Sequence, residues 1–150
     1  MIENMQKGRT TLFIIDEAQM ISDETFEEIR LLLNFQLNDR FLLTLVLIGQ
    51  PELRDKIRAF KQLDQRIANR YHLNPLNAEN TRSYIAMRLE RAGQANNMFT
   101  PDAVDEIHNH SEGVPRVINN ICDLALLVGF SMKISEIDVD TIRKVIRDSL

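Results

Sequence analysis

Cysteine occurs once in these 150 residues, at Cys122, so no internal disulfide can staple the fold, and the residue says nothing about redox compartment. Long hydrophobic runs are missing too. A stretch such as Phe41–Gly49 falls far short of the roughly 20 residues that a bilayer-spanning helix needs. Residues Met1 to Thr10 are polar and mixed in charge, which is not the pattern of a signal peptide, and a cytoplasmic setting is expected. There is no excess of positive charge: the net charge is −4, which argues against the whole chain wrapping nucleic acid. The basic clusters Arg66–Arg70 and Arg82–Arg91 read as solvated helix faces. No segment matches G-x-x-x-x-G-K-[ST], since Lys7, Lys56, Lys61, Lys133 and Lys144 all lack the glycine frame. Without that loop there is no backbone cradle and no lysine for a triphosphate. His108 and His110, two apart on an expected helix, point different ways, and with His72 and Cys122 they lack zinc-site spacing. No nucleophile–base arrangement, internal repeat or low-complexity segment is readable.

What is present is a balance of 44% hydrophobic and 27% charged residues, ordinary for a soluble globular chain with a core. Thr11-Leu12-Phe13-Ile14-Ile15 is a continuous apolar run that stops at Asp16-Glu17, as a strand covered on both faces would. Ser22-Asp23-Glu24 offers a cap and an acidic first turn, and Phe26, Ile29, Leu33 and Leu37 predict a helix over about 24–37. A second strand is expected over Leu42–Ile48, stopped by Gly49-Gln50-Pro51, which completes a βαβ pattern. Leu53, Ile57 and Phe60 predict a short helix, and Tyr71-His72-Leu73 a further short strand.

From residue 76 the texture is helical alone. Asn77 caps a helix with Tyr84, Ile85 and Leu89 on one face, ending at Gly93. Thr100-Pro101-Asp102 starts another with Val104 and Ile107, which Gly113 closes. Pro115 opens a third with Val117, Ile118, Ile121, Leu124, Ala125 and Val128 on a wide stripe. Asp138 caps a fourth, with Ile137 and Ile142 placed as a hydrophobic staple. The expected organisation is an incomplete α/β layer over residues 1–75 and a helical bundle over residues 76–150.

Four places are candidates for chemistry. Asp16-Glu17 end a strand at the carboxyl edge where open α/β sheets bind ligands. Two acids there suit a Mg²⁺ held through its water shell and a water polarised beside a γ-phosphate; the plainer alternative is two surface acids ending a strand. Gln50 ends the next strand and would lie beside the acids, placed to orient a water, or else it marks a simple turn. Arg66 and Arg70 are four apart, so one helical face would present two guanidinium forks to a partner's phosphate, or to a surface salt bridge with Asp64. Arg116 falls in a first helical turn, where the macrodipole disfavours a cation, a broken rule that hints at an anionic partner.

Taken in order, these features resemble the second half of an AAA+ module. Leu12-Phe13-Ile14-Ile15-Asp16-Glu17-Ala18-Gln19 is similar to a Walker B motif with its catalytic glutamate. Leu47-Ile48-Gly49-Gln50-Pro51-Glu52-Leu53, then Gln65-Arg66-Ile67 and Arg70-Tyr71-His72-Leu73, resemble the general secretion pathway protein A (ExeA-like) branch; transposition ATPases of the TniB and TnsC type share the style. Gly113-Val114-Pro115-Arg116 followed by Ile118-Asn119-Asn120 resembles sensor 2 in a helical lid. The resemblance runs from about Thr11 onward. It implies an α/β fold: part of the parallel sheet of a P-loop NTPase (AAA+), with an all-α lid after it. Asp16 would then be the Mg²⁺-associated acid and Glu17 the residue that activates water. Gln50 would stand at or near sensor 1, where other AAA+ proteins often carry asparagine, serine or threonine. Arg66 would be the arginine finger offered to a neighbouring subunit, with Arg70 second, and Arg116 would be sensor 2. The Walker A segment is the departure, which implies a piece of a longer protein. The Asp-Glu-Ala-Gln tetrad is also similar to the DEAx-box helicases, but a Ser-Ala-Thr motif and a second α/β domain are missing.

The resemblance implies a parent that uses ATP and Mg²⁺; the fragment itself is expected to hold neither and to be inactive alone. In the secretion reading the parent couples ATP hydrolysis to assembly of a secretion machine, is attached to the inner membrane, and meets secretion-machinery proteins. In the alternatives it regulates DNA transposition and binds DNA, or the chain is a non-catalytic interaction module. A sheet edge short of neighbours invites self-association.

Overall fold

The computed structural model describes residues 3, 7–33, 36–37, 40–41, 43–94 and 97–148. They divide into two units, Met1–Tyr71 and His72–Leu150.

In the first unit, strand β1 (Thr11–Ile15) pairs in parallel with β4 (Leu43–Leu47), in a register that sets Thr11 opposite Leu43 and Ile15 opposite Leu47. Helix α1 (Asp23–Leu32) forms the crossover. Its start is the expected one: the Ser22 hydroxyl accepts the Thr25 N–H at 3.3 Å, and Asp23 and Glu24 meet the positive end of the helix. Its end is not. The helix stops at Leu32, and Leu37 lies in β2 (Gln36–Leu37), which forms an antiparallel hairpin with β3 (Arg40–Phe41). Leu33 closes the helix by turning its N–H onto the carbonyl of Ile29, so the recurrence of Leu37 at helical spacing carried no helix with it. Leu42, where the second strand was expected to begin, lies outside the described residues.

After Pro51, α2 (Glu52–Ala59) and α3 (Lys61–Asp64) bury Leu53, Ile57 and Leu63 against Phe26 and Ala18. The Phe26 and Phe60 rings meet at 5.4 Å between centroids. Burial of such aromatic and aliphatic groups contributes about 1.5–3 kcal/mol each. The expectation that β1 is covered on both faces is corrected: Leu12, Phe13 and Ile14 are each more than half exposed. Among the described residues β1 has one strand neighbour, and only its last residue, Ile15, packs on the core of this unit. Nor does Tyr71-His72-Leu73 form a strand; it is irregular, with Tyr71 90% and Leu73 82% exposed. Three residues stopped by Asn74-Pro75 find no ladder partner among the described residues.

The described residues of the second unit hold four helices: α4 (Ala78–Arg91), α5 (Pro101–Ser111), α6 (Pro115–Met132) and α7 (Val139–Asp148). The starts read from sequence are realised as side-chain caps. Asn77 accepts the Asn80 N–H at 2.8 Å, Thr100 that of Ala103 at 3.2 Å, and Asp138 that of Thr141 at 2.9 Å. Ile85, Ile107, Ile118, Ile121, Ile137 and Ile142 share one core, so the two staple residues are both buried in it. A short parallel bridge between Phe99 and Ile137, with Ile137 N–H on the Met98 carbonyl at 2.7 Å, ties the start of α5 to that of α7.

Candidate functional site

Parallel pairing brings the carboxyl ends of β1 and β4 side by side, and hydrogen bonds continue past both strands. Ile48 N–H donates to the Ile15 carbonyl and Ala18 N–H to the Ile48 carbonyl, each at 2.8 Å. Asp16-Glu17 and Gly49-Gln50 therefore leave the sheet together, which is the juxtaposition expected of Gln50 and the acids. Ala18, wholly buried, pins the short 3-10 turn Ala18–Met20 that follows.

Within this edge the polar groups are connected. The Glu17 N–H donates to Asp16 Oδ1 at 2.9 Å. Glu17 itself has φ 51 and ψ 38, a left-handed backbone that glutamate seldom adopts. Its carboxylate Oε2 accepts from Gln19 Nε2 at 2.5 Å, and Gln19 Oε1 accepts from the Gln50 N–H at 3.1 Å. Lys56, on α2, donates from Nζ to the Gln19 carbonyl at 3.1 Å and also to the Ile21 carbonyl, while standing 5.5 Å above the Phe26 ring. Gln19 and Lys56 were given no role from sequence. Both left a signal. Gln19 is an amide two residues beyond an acid, and Lys56 lies three residues beyond Leu53 and next to Ile57, near the apolar face of an amphipathic helix.

Arg66 and Arg70 do not share a helical face, because α3 ends at Asp64 and the chain beyond Arg66 is irregular. Arg70 folds back instead, donating to the Asp64 carbonyl at 2.8 Å and to its Oδ1 at 2.7 Å. Arg66 is exposed and sits in the turn that closes α3. In the second unit, Arg116 lies in the first turn of α6 as expected and is exposed. His108 is taken up by packing, its Nδ1 3.0 Å from the buried Thr81 hydroxyl. Among the described residues no three His, Cys, Asp or Glu side chains group as a metal site. The acid pair nevertheless fits Mg²⁺ in its usual manner, in which one or two carboxylates act with water and phosphate oxygens rather than an all-protein cage.

A family model described as an AAA domain matches residues 1–57. Two mutants of Thermotoga maritima RuvB share the fold: one with a TM-score of 0.72, at 16% identity over 97% of this chain and 48% of that one, the other with a TM-score of 0.66, at 14% identity and the same coverage. The match to an AAA domain thus covers the β1–α1–β4 segment, and the short parallel sheet with helices after it has the α/β fold of those structures. The curated relative it matches is general secretion pathway protein A from Aeromonas hydrophila, 41% identical over 133 residues, which bears out the branch read from the motifs. Those residues are 87% of this chain and 24% of the relative, so the chain spans about a quarter of the relative's length.

Proposed function

We propose that this chain supplies the water-activating part of an ATP site in a longer protein, with the first unit as the latter half of an AAA+ α/β core and the second as its lid. The observation that carries the reading is the pairing of strand ends: Asp16-Glu17 and Gly49-Gln50 leave one sheet edge together. In an open α/β sheet that edge is where a phosphorylated ligand lies. Asp16 would hold Mg²⁺ through water, Glu17 would orient and activate the attacking water, and Gln50 would stand at sensor 1. Arg116 would reach the nucleotide from the lid. Arg66 would be offered to a neighbouring subunit, with Arg70, paired with Asp64 in this structure, second. ATP and Mg²⁺ belong to the assembled site, because the phosphate loop is absent from these 150 residues and two acids alone hold no triphosphate.

Likeness to a general secretion pathway protein supports the particular role: hydrolysis in a self-associating protein, coupled to assembly of a secretion machine in the cytoplasm or at the inner membrane. Glu17→Gln in the full-length protein tests the catalytic part. Turnover should fall by about a hundredfold or more with nucleotide binding retained. Turnover equal to wild type would end the assignment.

A further inference from the structure

We propose that Gln19 is the positioning residue for Glu17, its side-chain amide clasping the acid to the Gly49-Gln50 turn so that the carboxylate answers to that turn. The proposal rests on the assignment of Glu17 above and names what aims it.

Chemistry fixes the sense of the clasp. A backbone N–H can only donate and a carboxylate can only accept, so Gln19 must present its oxygen to Gln50 and its nitrogen to Glu17. A primary amide does both at once. Glutamate at this position would accept from Gln50 but could not donate to Glu17, and methionine of similar length would do neither. The turn is shaped around this amide. A β-carbon on Gly49 would stand 2.5 Å from Gln19 Oε1 and 2.9 Å from Leu53 Cδ2, so a residue without one leaves room for the clasp. From the other side, Lys56 holds the Gln19 backbone carbonyl, and buried Ala18 holds the start of the turn.

Glu17 also sits in a left-handed conformation, a strained backbone that persists only where surrounding bonds over-determine it. Its N–H on Asp16 and its carboxylate on Gln19 are two such bonds. A shift of the Gln50 backbone therefore reaches the Glu17 carboxylate through one side chain.

The test uses Gln19→Met, Gln19→Glu and Gly49→Ala in the full-length protein, with Glu17→Gln alongside. Gln19→Met and Gln19→Glu should each lower kcat by about tenfold to a hundredfold, the scale of a misplaced catalytic group, with KM for ATP unchanged. Gly49→Ala, which displaces the amide by bulk, should do the same. Hydrogen exchange at the Gln50 amide, followed by NMR, separates positioning from general damage: faster in Gln19→Met, as in wild type in Gln19→Glu. If Glu17→Gln is inactive while the Gln19 variants keep wild-type kcat, the clasp has no catalytic meaning and the Glu17 assignment stands. If Glu17→Gln itself turns over normally, the assignment fails first and the proposal with it. Should Gln19→Met not fold, Gln19→Glu decides: unchanged kcat there overturns the proposal.

Discussion

The α-carbon of Gly113 faces the carbonyl of Leu76 so closely that a β-carbon would stand 1.8 Å from its oxygen. The two residues are also hydrogen bonded, Leu76 N–H to the Gly113 carbonyl at 2.9 Å, and Gly113 has φ 75. Gly93 has a positive φ of 88 as well, yet nothing lies within 4 Å of its missing β-carbon. The pair separates backbone strain from collision. Gly93→Ala should cost about 1 kcal/mol, the strain alone, and Gly113→Ala well over ~2 kcal/mol. Urea unfolding measures both, and equal losses would show that the close approach is not maintained in solution.

Lys56 should matter for stability out of proportion to a surface lysine. Its ammonium satisfies two backbone carbonyls of the turn that carries Gln19 and lies over the Phe26 ring. Lys56→Met keeps most of the stem and removes the charge and the donors. The loss should be about 1–3 kcal/mol, as for other charge-assisted hydrogen bonds. An unchanged urea midpoint would mean that the turn is held by Ala18 alone.

The parts of this chain that were legible in its sequence are those whose signal is local. Caps at Ser22, Asn77, Thr100 and Asp138, prolines at Pro101 and Pro115, and the apolar stripe of α6 act within one or two turns of chain. The neighbourhood of Asp16-Glu17 and Gln50 was legible for a different reason: two strands joined by a helix pair in parallel and so end together. What could not be read depended on the ends of elements or on which side chain bridges a gap. Leu37 and Arg70 both keep a helical spacing that the backbone abandons before reaching them. Gln19 shows in the sequence only as an amide two residues beyond an acid, and its bridge to the turn appears once the strands bring Gly49 beside it.

The cap at Asp138 predicts a pH dependence with a definite sign. Hydrogen bonds from the Thr141 backbone N–H, then from its hydroxyl, hold the carboxyl below its ordinary value of 3.8. A depressed folded value means that the cap's contribution is complete above the unfolded value and is lost as pH falls through the folded one. The stability difference between wild type and Asp138→Ala should be constant near neutrality and shrink below about pH 3.8. A difference that stays constant into strong acid would rule out the ionised cap.

Cys122 sets the opposite trend at high pH. Burial pushes its thiol up to about 12 and Asp123 adds to the shift, with Arg88 opposing it. Near pH 8 the folded chain therefore holds a neutral, half-buried thiol, and thiolate-dependent alkylation should be slow until denaturant exposes it. Linkage gives the companion expectation. Between an ordinary value near 9.0 and about 12 the unfolded chain loses a proton that the folded chain keeps, so stability drops as pH rises through this window. Cys122→Ala removes that component, and the wild-type curve should converge toward the variant's as pH rises. Alkylation of the native protein at the rate of a free thiol would show instead that solvent reaches Cys122 between Arg88 of α4 and Asn119 of α6, which line a shallow cleft with it.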